Sequence, residues 1–168
     1  AQMVDRGLKR RAAKARIKVA TGLAAGVGAT PIPFSDAALL VPIQIGMIAS
    51  ISQTYRVPMD AAMAASLAAT ALATNMGKTL AASALKFVPG AGTVAGSAVA
   101  ASVASAFTLA MGEAWMKVCE MMVDGRFGPL ESMDNGAVRS VFADEFKGLF
   151  SQALRTIKRT GGSEGSGG

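Results

Sequence analysis

Between Lys86 and Glu113 the chain carries no charged side chain, and small residues recur there every four positions: Gly92, Gly96, Ala100 and Ala104. A period of four puts them on one helical face, where the lack of bulk lets a second helix approach closely. Upstream, Ala61, Ala65, Ala69 and Ala73 repeat the pattern. Val88-Pro89-Gly90-Ala91-Gly92, the clearest turn signal in the sequence, separates the two segments. The spacing predicts an antiparallel helical hairpin within residues 61–112, closed by these eight small residues.

The uncharged run exceeds the ~20 residues needed to span a bilayer. It is Ala-rich, however, and alanine favours insertion far less than Leu, Ile or Phe. An inserting hairpin and a close-packed soluble bundle both satisfy the pattern.

The remaining segments also read as helices. Arg, Lys and Ala dominate the start, and Thr30-Pro31-Ile32-Pro33 ends that helix. Ser35 or Asp36 can cap a second helix, about 36–55, with Pro42 inside it. Asp60 can cap a third, about 59–76, followed by a short helix through Leu85. A long helix from about Thr93 to Val123 ends at Asp124-Gly125, with Gly125 suited to a left-handed cap. In the last helix Val138, Val141, Phe142, Phe146, Leu149, Phe150, Ala153, Leu154 and Ile157 share one face. Asp134 or Asn135 can cap it, and Gly161 to Gly168 reads as a flexible Gly/Ser tail. No segment alternates at period two, so no strand is expected.

Composition narrows the chemistry. Histidine is absent and Cys119 is the single cysteine. Imidazole-based triads, a Cys–His pair, an intrachain disulfide and a Cys-rich zinc site are therefore excluded. Gly77-Lys78-Thr79 resembles the end of a phosphate loop, but Leu72 stands where that loop needs glycine. Gly90, Gly92 and Gly96 are misspaced for a dinucleotide fingerprint and follow no strand. Cys119 reads as a small buried hydrophobe and the ten methionines as core filling. No cofactor is expected.

Charge is unevenly placed. Arg6, Lys9, Arg10, Arg11, Lys14, Arg16 and Lys18 face Asp5 alone within residues 1–18, so that segment holds the whole net charge of +6. Such asymmetry suits anionic lipid or nucleic acid. Nucleic acid is the weaker choice, since no stacking aromatics lie nearby and no nucleic-acid motif follows. A solvated helix joining another domain would carry the same charges.

The run Gly28-Ala-Thr-Pro-Ile-Pro-Phe-Ser-Asp36, followed by Pro42-Ile-Gln-Ile-Gly-Met47 and ending at Tyr55, resembles a bacterial helical domain of uncharacterised function. That domain commonly follows an Era-like GTPase domain, as in YcjF-type membrane proteins. Val88 to Gly92 and the Ala/Gly-rich helix after it fit the same pattern. Arg56 stands where a glycine is expected after the tyrosine. The resemblance implies an accessory domain working with a GTPase upstream or in trans, with membrane association in some members and not all; the expected location is the bacterial cytoplasm, at the inner face of the cytoplasmic membrane.

The expected fold is all-α: a compact bundle of five or six helices with a central small-residue hairpin and a C-terminal amphipathic helix. Residues 1–18 would be a basic connector, 19–125 the Ala/Gly-rich domain, 126–160 the loop and last helix, and 161–168 the tail. The leading function is a non-enzymatic, membrane-associating and self-associating domain of a GTPase system, with the seven basic residues on anionic headgroups. A soluble interaction or homo-oligomerisation module and a pore-forming segment are the alternatives.

Overall fold

The computed structural model describes residues 2–28, 35–73 and 93–163. Among these residues five α-helices follow in order: α1 (Gln2–Gly28), α2 (Ser35–Tyr55), α3 (Ala61–Ala73), α4 (Thr93–Val123) and α5 (Asn135–Ser163). A single 3-10 turn at Leu130–Ser132 lies between α4 and α5. No strand occurs among the described residues, and the all-α bundle is as expected. The expected helix within 77–85 and the turn at 88–92 lie outside the described residues. α1 runs unbroken across residues 18 and 19, and α5 continues to Ser163, into the Gly/Ser tail.

Local signals explain the helix ends. Asp60 Oδ1 accepts the Met63 amide at 2.7 Å and caps α3. Asp134 Oδ1 accepts the Gly136 amide at 2.8 Å, satisfying an otherwise orphaned donor at the start of α5. α4 ends on Gly125 at φ 77°, where the Gly125 amide reaches Met122 O and the Arg126 amide reaches Met121 O. α2 ends on the same pair of bonds, Arg56 N to Gln53 O and Val57 N to Ser52 O, but here Arg56 occupies the left-handed position at φ 58°.

An L side chain in that conformation costs roughly 1–2 kcal/mol, of which glycine would return part through its greater entropy loss. Arg56→Gly is therefore expected to stabilise the fold by about 0.5–1 kcal/mol. Urea unfolding monitored by circular dichroism measures it, and a destabilised variant would contradict the strain.

α4 forms the centre of the bundle, packed by α1, α2 and α5. Arg6 pairs with Asp124, and Ile17 meets Gly112, so α1 and α4 run antiparallel. A Cβ on Gly112 would lie 2.7 Å from Ile17 Cγ1 and 2.9 Å from Met47 Sδ. Glycine there is what lets α1 and α2 close on α4. On the other side of α4, Phe107 packs edge-on against Phe146 at 5.0 Å and Phe150 at 5.5 Å between ring centroids. Val138, Phe142, Phe146 and Phe150 are fully buried along α5, with Val141, Leu149, Ala153, Leu154 and Ile157 packed around them. That is the face its sequence period predicts.

α3 buries Ala64, Leu67, Ala68 and Ala71, and its contacts are with α2 and α5. Ala61, Ala65, Ala69 and Ala73 lie on its exposed face instead. The third helix thus turns the predicted hairpin face outward, because Leu67 is its bulkiest described apolar group apart from Met63 and sits a different way round the helix. Of the partner row, Ala104 is buried. Gly96 and Ala100 lie in the helical backbone of α4, and Gly92 lies outside the described residues.

Candidate functional site

α1 contributes a narrow inner row to the core. Ala13, Ile17, Ala20 and Ala24 are buried, at the three- and four-residue steps of one helical face. All other described side chains of α1 are exposed or half-buried. The small inner residues hold the helix close to α2 and α4, and the cations project from its remaining circumference.

The seven basic residues divide into two groups. Arg6 pairs with Asp124 of α4's end, Lys9 Nζ lies 2.8 Å from Asp5 Oδ2, and Arg10 Nε lies 3.8 Å from Glu120 Oε1. These three are partly neutralised, and Arg6 and Arg10 fasten the helix to α4. Arg11, Lys14, Arg16 and Lys18 are exposed or nearly so and form no ion pair among the described residues. No described acid compensates their positive charge at short range. Sequence spacing brought all seven together as one group. Asp5 beside Lys9 is local, but Arg6 and Arg10 could not be set apart from the rest, because Asp124 and Glu120 lie more than a hundred residues away, across the α1–α4 register.

Glu120 is a node. Its Oε1 accepts the Tyr55 hydroxyl at 2.9 Å and faces Arg10, so one carboxylate links α1, α2 and α4. Below it, Trp115 Nε1 donates to Ser52 Oγ at 2.9 Å, and that hydroxyl donates to Ile48 O at 2.8 Å. Burial, then the bond to Glu120, pushes the Tyr55 phenol above its ordinary range, and burial does the same to the Cys119 thiol. Cys119 is fully buried, as its sequence context indicates.

A raised phenol favours the protonated form in the fold, so its contribution is complete below about pH 10 and is lost as pH climbs above that. Tyr55→Phe is expected to cost about 1 kcal/mol at pH 7. It should also make the loss of stability between pH 9 and 11 shallower than in the wild type. Urea midpoints across that range check both, and an unchanged alkaline slope would contradict the assignment.

Other candidate positions offer little reactive chemistry. Thr21 Oγ1, Gln44 Oε1 and Thr108 Oγ1 are buried without a hydrogen-bond partner. Antiparallel pairing places Thr21 and Thr108 one turn from the Ile17–Gly112 contact, but all three groups are neutral oxygens that supply no acid, base or thiolate. An open cleft beside the start of α3 is lined by Met59, Met63 and Met133 with Asp60 and Glu131. There Asp60 is already engaged in capping α3. No group of three or more Cys, Asp or Glu side chains suited to a metal occurs among the described residues. Among the same residues, no helix is long and apolar enough to cross a membrane.

A family model described as "Domain of unknown function (DUF697)" matches residues 1–140. A protein of Magnetospirillum gryphiswaldense described as magnetosome membrane protein 22 is 28% identical over 121 residues. The match covers 70% of this chain and 60% of that protein, so the chain spans somewhat less than two thirds of its relative's length. No solved structure matches.

Proposed function

As this chain belongs to the DUF697 family, we propose for it a non-catalytic role as a membrane-associating helical domain, held at an anionic lipid surface by the outer face of α1. The observation that carries the reading is the set of four exposed cations, Arg11, Lys14, Arg16 and Lys18, which form no ion pair among the described residues, on a helix already anchored to the bundle by its inner row. An anionic leaflet attracts each nearby Lys or Arg by about 1 kcal/mol, and a rigid scaffold presents the four together without further ordering cost. The membrane protein among its relatives supports the same direction. Headgroup attachment needs no spanning helix, which agrees with the lengths and polarity of the described helices.

The reading places the chain at the inner face of the bacterial cytoplasmic membrane. The GTPase partner implied by the resemblance around residues 28–55, upstream or in trans, and a second copy of the chain would meet the domain on surfaces other than the outer face of α1.

Flotation with liposomes tests the attachment. The chain is expected to float with vesicles rich in phosphatidylserine or phosphatidylglycerol, to stay at the bottom with neutral phosphatidylcholine, and to detach at about 0.5 M salt, where screening is short-ranged. Equal binding to neutral vesicles would overturn the headgroup reading. Release of an entrapped dye would point to the pore alternative.

A further inference from the structure

The outer face of α1 carries more than charge. Val4 is 68% exposed, Leu8 59%, Val19 65% and Leu23 55%, although each is apolar. At the 3.6 residues per turn of an α-helix they fall, with Ala15 between them, in one arc roughly 100° wide and turned away from the buried Ala13–Ala24 row. Arg11 and Lys18 border one edge of this arc, with Lys14 further round, and Arg16 borders the other beside Asp5. The acid of α1, Asp5, is engaged by Lys9.

We propose that α1 lies flat in the interface of an anionic bilayer, with Val4, Leu8, Val19 and Leu23 below the headgroups and the flanking cations reaching phosphates on both sides. This rests on the membrane-surface reading above and adds depth and orientation to it. The charge pattern selects the occupant. An apolar stripe edged by long cationic side chains, whose stems lie along apolar surface while their heads reach outward, fits a surface of acyl chains beneath anionic headgroups. A second copy docked on the same stripe would instead bring the flanking cations of both helices together, with no acid on the helix other than Asp5, which Lys9 already engages.

The test places an environment-sensitive nitrobenzoxadiazole label at Leu8→Cys and Val19→Cys, with Ser140→Cys on α5 as the exposed control. The native Cys119 is fully buried and stays unlabelled in the folded chain. With anionic vesicles, the labels at 8 and 19 are expected to shift to the blue, brighten at least twofold and be quenched by nitroxide lipids, while the label at 140 does not change. Leu8→Gln with Val19→Gln is expected to weaken vesicle binding about tenfold to a hundredfold and leave the helical content intact. If the wild type binds anionic vesicles but both labels stay water-like, the flat, inserted orientation is overturned and headgroup attachment stands. If the wild type does not bind, the underlying reading fails and takes the orientation with it. A blue shift without vesicles that grows with protein concentration would assign the stripe to a second copy and overturn the proposal.

Discussion

Replacing Phe146 with alanine is expected to lower stability by about 3–5 kcal/mol, a large share of the roughly 5–15 kcal/mol that holds a domain together. Phe146 is fully buried where α4 meets α5. Its ring centroid lies 5.0 Å from Phe107, 5.5 Å from Phe150 and 6.3 Å from Phe142. Truncation removes the apolar contact of the ring, leaves a cavity, and ends three aromatic pairings at once. Three neighbouring rings, themselves held by α4 and by the preceding and following turns of α5, have little freedom to collapse into the gap. For a domain of this size the loss corresponds to a fall in melting temperature of roughly 6–20 °C. Phe146→Leu, which keeps most of the volume, is expected to cost under about 2 kcal/mol. Thermal and urea unfolding measure both. An alanine variant that loses less than about 1 kcal/mol would mean that α5 does not pack on α4 through this face.

The second large effect concerns attachment. Changing Arg11, Lys14, Arg16 and Lys18 together to glutamine is expected to reduce affinity for anionic vesicles about a thousandfold, from about 1 kcal/mol per cation and about 1.4 kcal/mol per decade. The same change should leave the fold nearly untouched. None of the four is buried and none forms an ion pair among the described residues, so each substitution falls in the range of about ±0.5 kcal/mol for surface positions. Arg6→Gln with Arg10→Gln makes the informative contrast. Those side chains face Asp124 and Glu120, so their loss unfastens α1 from α4 slightly and removes charge that is already partly neutralised. Exposed pairs are worth about 0–1 kcal/mol each. This double variant should lose some stability and far less vesicle affinity than the quadruple one.

How much of this was legible in the sequence follows from contrast within each helix. α5 alternates bulky aromatics with charged residues, so its period names the face that Phe142, Phe146 and Phe150 bury. Asp60, Asp134 and Gly125 announce their caps because their backbone roles are local. α3 lacks that contrast. With alanine on every side, a four-residue repeat at Ala61, Ala65, Ala69 and Ala73 looks as good as the row that is buried, and only Leu67 distinguishes them.

On α1 the clustered charge was plain and Asp5 lies within reach of Lys9, but the neutralisation of Arg6 and Arg10 depends on Asp124 and Glu120 at the far end of α4, which no local window contains. The apolar stripe of Val4, Leu8, Val19 and Leu23 does not stand out in the sequence of α1, where small apolar residues lie on every side. Its exposure was not legible either, because a helix rich in small apolar residues could have buried either side. The bundle buries the Ala13, Ile17, Ala20 and Ala24 row, where three alanines and Gly112 facing Ile17 permit close approach, and leaves Val4, Leu8, Val19 and Leu23 outside.

The central claim is that four free cations on α1 hold this domain at an anionic surface. Its most direct test is the vesicle partition coefficient of the wild type, the quadruple glutamine variant and the Arg6/Arg10 double variant, measured by sedimentation at one low ionic strength. The account predicts a loss of about three decades for the quadruple variant and less than one decade for the double variant, with equal helical content by circular dichroism. Equal partitioning of the wild type and a folded quadruple variant would contradict it.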